Sequence, residues 1–197
     1  MPHWVYIAFT IIGSLIVVKL LFVISILSVF QITHGAMFHP SAFIRVRTFL
    51  DEVPMRENEL LIDIGCGDGR VLKEARKRYG VRALGYEVNP LAYFFARLRT
   101  LRSKDVTVRY QNFWNVNIGE ADVIFCYLFP DVMERLAEKL EKELRPGARV
   151  ISGNFPLPGW HHNSVWHPES SLHNSPIYFY RFPDSCTSPP TGNHTYQ

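Results

Sequence analysis

Three glycines at alternate positions, Gly65, Gly67 and Gly69, constrain this chain more than any other feature. They lie in Asp63-Ile64-Gly65-Cys66-Gly67-Asp68-Gly69-Arg70, behind the apolar run Leu60-Leu61-Ile62 and ahead of a segment running to Tyr79. The run reads as a buried parallel strand. In the following segment, apolar positions 71/72, 75 and 79 share one helical face. Strand, glycine turn and helix in that order leave backbone amides uncovered where a ligand approaches. A dinucleotide fingerprint wants its third glycine where Arg70 stands, and the Gly-Lys-Ser/Thr of a Walker loop is absent. What remains is G-x-G-x-G, an acid on the preceding strand at Asp63, and a second strand, Ala83-Leu84-Gly85-Tyr86-Glu87. That strand ends in a carboxylate about twenty residues on, which can accept the ribose hydroxyls of a nucleoside.

Glycines, Asp63 and Glu87 in register on successive strands resemble the S-adenosylmethionine (SAM) site of the Rossmann-like class I methyltransferases. The resemblance implies that Gly65, Cys66 and Gly67 line the methionine end of the cofactor. Asp63 then organises the loop or the amino group, Glu87 holds the ribose, and Asn89 lies beside the adenosine. After the third strand, Gln111-Asn112-Phe113-Trp114 stands where such enzymes contact adenine. Asn112 is expected to accept from the adenine amino group through its carbonyl oxygen. Phe113 is expected either at the adenine or in ordinary core.

The alternation continues along the chain and predicts an α/β fold. The expected architecture is a Rossmann-like, seven-stranded, mostly parallel sheet with helices on both faces. Further strands are expected at 106–110, 121–127, 148–152, around 164–166 and at 176–182, the last two as a hairpin. Helices are expected from Ser41 (a cap) to Val53, from Pro90 to Arg102 and from Pro130 to Leu144. The first turns Phe43, Val46, Phe49/Leu50 and Val53 inward. The second gathers Leu91, Phe94, Phe95, Leu98 and Leu101 on one apolar face, which a surface helix normally turns to the core.

Val5 to Phe30 is apolar enough to cross a bilayer. Eighteen of its 26 positions are Leu, Ile, Val or Phe, and as a helix it spans roughly 39 Å against a ~30 Å hydrocarbon core. Lys19 costs about 2.5–3.5 kcal/mol at the centre, whereas the apolar residues contribute roughly −5 to −11 kcal/mol. No basic region precedes the run, which argues against a cleaved signal peptide. Arg45, Arg47 and Arg56 follow it, so the positive-inside rule puts the catalytic domain on the cytoplasmic, SAM-containing side. The expected organisation is a membrane anchor at 1–30, a linker at 31–40, a methyltransferase domain at 41–183 and a disordered tail at 184–197.

Net charge is +3, but ten Lys/Arg fall between Arg70 and Lys104 against only Glu74 and Glu87. That block suits anionic lipid, nucleic acid or an acidic partner, or is simply two solvated helix faces. Cys66, Cys126 and Cys186 are too few and too far apart for a disulfide framework and fit a reducing compartment. His161-His162 has no third ligand at a convincing spacing, so no metal is expected.

Tyr127-Leu128-Phe129-Pro130 ends the fourth strand, nearest the transferring methyl in this fold. It lacks the Asn/Asp-Pro-Pro-Tyr/Phe of enzymes that methylate exocyclic nitrogens, which argues against nucleic acid. Phe155 and Trp160, in Asn154-Phe155-Pro156-Leu157-Pro158-Gly159-Trp160, could wall the methyl site through cation–π attraction, or the loop could only cover the sheet edge.

Together with the N-terminal apolar helix, the segments 61–70, 85–90 and 155–160 resemble the small membrane-anchored protein-lysine methyltransferases. Members of that group modify the mitochondrial adenine nucleotide translocase and the ATP synthase c subunit. The resemblance implies N-methylation of lysine in a membrane or membrane-associated protein, with Tyr127, Phe155 and Trp160 beside the reacting nitrogen. A lipid or small-molecule methyltransferase, or a SAM-binding regulatory protein without turnover, are the alternatives.

Overall fold

The computed structural model describes residues 3–32, 43–169 and 174–186. The chain separates into two units, Met1–Met37 and Phe38–Gln197. In the first, α1 (His3–Ile32) is longer than expected by two residues at each end. Its stretch His3–Val23 is long and apolar enough, by length and composition, to cross a membrane. Thr10 turns its hydroxyl back onto the carbonyls of Tyr6 and Ile7, at 3.0 and 2.8 Å, so no polar group of that side chain needs outside help. Positions 31 and 32 of the expected linker are helical; the rest of it, and the Ser41 cap, lie outside the described residues.

The second unit is built on a seven-stranded sheet: β1 (Leu60–Ile64), β2 (Arg82–Glu87), β3 (Val106–Tyr110), β4 (Val123–Cys126), β5 (Arg149–Gly153), β6 (Ser164–Trp166) and β7 (Ile177–Arg181). The spatial order is β3-β2-β1-β4-β5-β7-β6. The first five strands are parallel, and β7 runs antiparallel to both β5 and β6, which gives the expected hairpin. Four helices pack on the sheet: α2 (Phe43–Glu52), α3 (Arg70–Tyr79), α4 (Pro90–Thr100) and α5 (Met133–Glu143).

Period-two alternation sorts the core into two layers. Leu61, Val123, Phe125 and Ile151 face α2 and α3, and Ala83 and Val108 face α3 and α4. Ile62, Ile64, Ile124, Cys126 and Val150 face α5. All five residues of β1 are buried, as a central strand covered on both sides requires. Because β1 is flanked by β2 on one side and β4 on the other, the chain reverses its winding there. A crevice opens at the carboxyl end of such a switch point.

Four expectations about the elements need correction. In α2, Val46, Phe49 and Leu50 are buried as expected, but Phe43 is half exposed and lies 5.0 Å from the Arg70 guanidinium. In α4 the buried side is Ala92, Ala96 and Thr100, while Leu91, Phe94, Phe95, Leu98 and Leu101 are exposed. The cause is close approach to the glycine loop. A Cβ added at Gly69 would stand 3.1 Å from Ala96 Cβ, so only small side chains fit beneath the helix and the large ones turn outward. The expected tail begins too early: Asp184–Cys186 form a 3-10 turn with Ser185 buried. The Ser185 hydroxyl accepts from Arg181 N–H and donates to Asn163 Oδ1, at 3.0 and 2.9 Å. Positions 187–197 lie outside the described residues. The helix expected from Pro130 opens as a 3-10 turn, Pro130–Val132, before α5.

Candidate active site

The β1–α3 turn is held open by its own backbone. Gly65, Gly67 and Gly69 take φ of +74°, +54° and +73°, which side chains disfavour. The amides of Gly65 and Cys66 both donate to Tyr86 O at 3.0 Å, tying the turn to β2. Gly85 lies directly below it: a Cβ there would come within 2.6 Å of both Cys66 Sγ and Leu72 Cδ1.

Glu87 closes the turn from the end of β2. Its Oε2 accepts from Gly67 N–H at 2.8 Å, and its Oε1 from Val88 and Asn89 N–H at 2.9 and 2.8 Å. A carboxylate offers about four lone-pair positions, so these three amides leave room for one more donor. Burial raises the Glu87 pKa despite the three N–H groups that favour its charged form. Asp63 is pushed well above the usual carboxylate range, first by burial and then by the negative charges of Glu87 and Asp68. Among the described residues no hydrogen bond or ion pair reaches its carboxylate. Asp68 is different. Burial raises it too, but Arg70 and Arg99 together outweigh burial and hold it below the usual value. Arg70 donates Nε to Oδ1 at 2.9 Å and Nη2 to Oδ2 at 2.7 Å. Arg99 donates Nη2 to Oδ2 and Nε to the Asp68 carbonyl, both at 2.9 Å. Among the described residues, two acids of the crevice, Asp63 and Glu87, therefore have no cation of their own. Burial, reinforced by these acids, also keeps the Cys66 thiol protonated.

The opposite wall comes from α2 and the end of β4. The Tyr127 ring lies on Gly153, where a Cβ would be 2.7 Å from Tyr127 Cδ2. Over that ring, at 5.1 Å, stacks the guanidinium of Arg45. Arg45 is only 6% exposed, and its buried Nη1 has no hydrogen-bond partner among the described residues. The Phe43–Arg70 contact puts the first turn of α2 beside the start of α3, while the Tyr79 hydroxyl binds the Leu50 carbonyl near the other end. Arg45 thus sits at the carboxyl edge of the sheet. Sequence reading passed it over as a flanking charge, although its i, i+4 spacing from the buried Phe49 marks the inward face.

Other expected site residues are engaged elsewhere. Asn89 caps α4, its Oδ1 accepting from Leu91 and Ala92 N–H at 3.0 and 3.1 Å. Asn112 is exposed and caps a 3-10 turn, its Oδ1 accepting from Trp114 N–H at 3.0 Å, so the oxygen expected at adenine already has a donor. Phe113 is half-buried, 4.3 Å from the Trp114 ring. The Phe155 carbonyl accepts from Ser152 Oγ at 2.6 Å, and its side chain packs on the α5 layer. Trp160 is no aromatic wall: it is 6% exposed, packs on Tyr180 and Phe182, and donates Nε1 to Glu141 on α5 at 2.9 Å. Its ring is large and apolar and needs one acceptor, and the α5 side of the sheet supplies both.

Residues 63–164, from the acid of β1 to the first residue of β6, match the ANTKMT methyltransferase domain. The chain belongs to that family. A protein-lysine N-methyltransferase of Saccharolobus islandicus (strain REY15A) is 37% identical over 140 residues, 68% of this chain and 86% of that protein. The mouse adenine nucleotide translocase lysine N-methyltransferase is 40% identical over 104 residues, 51% of this chain but 45% of that protein. An RNA methyltransferase from Salinibacter ruber, solved with S-adenosyl-L-homocysteine, superposes with a TM-score of 0.68 at 27% identity. It covers 78% of this chain and 98% of that one. The ANTKMT-family chain is a SAM-dependent methyltransferase on a Rossmann-like sheet. Its crevice suits that cofactor: buried acids without a countercharge accommodate a ligand carrying an ammonium and a sulfonium, and the bare glycine turn accommodates its backbone-like methionine end.

Proposed function

We propose that the chain is a membrane-anchored protein-lysine N-methyltransferase acting on a membrane or membrane-associated protein. The observation that supports the lysine reading is the 37% identity that extends over 86% of the Saccharolobus islandicus protein-lysine N-methyltransferase. Support for the anchor is α1, with the catalytic domain on the cytoplasmic side by the arginines that follow it.

The roles follow from the crevice. Glu87 accepts one ribose hydroxyl at its remaining lone pair, while its other three bind Gly67 of the turn and Val88 and Asn89 past the end of β2. Asp63 faces the methionine amino group, and Gly65, Cys66 and Gly67 form the floor. Arg45 pairs its free Nη1 with the methionine carboxylate, which gives a buried guanidinium the partner it otherwise lacks. Bound SAM supplies an electrophilic methyl. Tyr127 and the carbonyls at the end of β4 orient the acceptor nitrogen, and the loop bearing Phe155 screens it from water. A lysine must arrive neutral; from a reference pKa near 10.4 this costs about 4.6 kcal/mol at pH 7. Like charge from Arg45 and the poor solvation of the crevice lower that cost.

The test is incubation of purified full-length protein with tritiated SAM and membrane fractions, followed by mass spectrometry of labelled proteins. Methyllysine in a membrane protein, lost on its Lys→Arg change, is expected. Label confined to the organic extract or to RNA contradicts the proposal.

A further inference from the structure

The exposed face of α4 is out of keeping with a water-facing helix. Leu91, Phe94, Phe95, Leu98 and Leu101 are each between 47% and 71% exposed. They follow one another at helical spacing and form one continuous stripe. Scattered exposed apolar residues need no account, but a patch of five on eleven residues does. The stripe is flanked by charge of one sign. Arg97, Arg102 and Lys104 are exposed, and no Asp or Glu occurs from Leu91 to Lys104. Arg99 is excluded from this count because Asp68 holds it. The neighbouring edge strand adds exposed Arg109 and Tyr110, the latter 5.4 Å from the Tyr93 ring.

We propose that α4 is an interfacial docking surface for an anionic lipid bilayer, separate from the anchor. Phenylalanine and leucine on one face with arginine and lysine beside them is the composition of helices that lie in the headgroup layer. The basic residues complement acidic headgroups; the nearest acid along the chain, Asp105, pairs with Arg76 at 2.9 Å. A second copy of the chain fits poorly. A two-fold contact sets a surface against itself, which would bring Arg97, Arg102 and Lys104 of both copies together. The consequence is for the reaction. The cap of α4, Asn89, is two residues past Glu87, so a bilayer against α4 lies beside the cofactor crevice and presents lysines near the membrane surface to it.

The proposal does not depend on lysine being the acceptor, and its test does not read methyl transfer. The full chain carrying Cys186→Ser and Leu98→Cys is nitroxide-labelled and reconstituted into phosphatidylcholine vesicles containing phosphatidylglycerol; Cys66 and Cys126 are buried. Collision rates with oxygen and with a water-soluble nickel chelate are measured by electron paramagnetic resonance. At position 98, oxygen is expected to dominate, as it does inside a bilayer. A label at Lys142→Cys, exposed on α5, should favour the nickel chelate. Adding Arg97→Glu, Arg102→Glu and Lys104→Glu should return position 98 to water while carbonate washing leaves the chain in the vesicles. Nickel dominance at position 98 overturns the proposal. Shielding from both reagents also overturns it, since that marks a protein occupant, either α1 or another copy. A depth unaffected by the charge reversals overturns the choice of anionic lipid.

Discussion

Glu87→Gln is the substitution that separates two accounts of the crevice. If the carboxylate only received a ribose hydroxyl, glutamine would serve nearly as well, because an amide also bonds hydroxyls. Here both carboxylate oxygens accept from backbone amides, Oε2 from Gly67 and Oε1 from Val88 and Asn89. Whichever way the glutamine amide is turned, its NH₂ faces at least one N–H. A buried donor left without an acceptor costs about 1–3 kcal/mol, and the surviving bonds fall from charge-assisted to neutral strength. The total is about 2–4 kcal/mol, or roughly 30- to 1,000-fold at 1.36 kcal/mol per decade. Titration calorimetry with S-adenosylhomocysteine, beside a thermal melt of the free protein, reads how the loss divides between affinity and stability. Glu87→Ala should be at least as damaging to affinity. A glutamine variant that binds within threefold of the parent and melts at the same temperature would refute the idea that this side chain organises the turn.

Three further outcomes follow from the same geometry. Burial raises the Asp63 pKa well above the usual carboxylate range, and a cation set beside it lowers it again; at pH values below that raised pKa cofactor binding should release protons, and affinity should rise with pH until the acid ionises unaided. Calorimetry in buffers of different ionisation enthalpy measures this, and binding with no proton release would count against it. For folding the sign is opposite: an acid whose folded pKa is raised loses stability as pH rises from its unfolded towards its folded value, so Asp63→Asn should melt higher at neutral pH and bind more weakly. Trp160→Phe removes the bond to Glu141 and some core volume, and should cost about 1–3 kcal/mol of stability with kcat for methyl transfer unchanged; a large fall in kcat would return Trp160 to the active site. Gly85→Ala forces a methyl group against Cys66 and Leu72 and should lower stability by about 1–3 kcal/mol and cofactor affinity with it, whereas an unchanged melt would show that the turn yields without strain.

Much of this was legible in the residues. An apolar run, three spaced glycines and a second acid-tipped strand leave few folds, because each element is local and each glycine has one job. The seven strands followed from the same alternation. The α4 helix was not legible, because pattern reading sends the larger apolar side chains inward and cannot see that Gly69 brings the helix too close for anything bulkier than Ala96. Trp160 misled for a related reason: an aromatic beside two prolines is equally a binding wall or a core plug, and only Glu141 and Tyr180, distant in sequence, decide. Asn89 and Asn112 stood at family positions, and both also serve as caps, a local use that the same residue types favour. Arg45 was missed because its role needs Tyr127, eighty-two positions away.

The most direct test is a crystal structure of the protein with S-adenosylhomocysteine. The account predicts the ribose within hydrogen-bonding distance of Glu87, the amino group facing Asp63, the carboxylate on Arg45, and the sulfur turned toward Tyr127. A nucleoside bound away from the β1–β2 edge, or a crevice filled by the protein's own side chains with the ligand present, would contradict it.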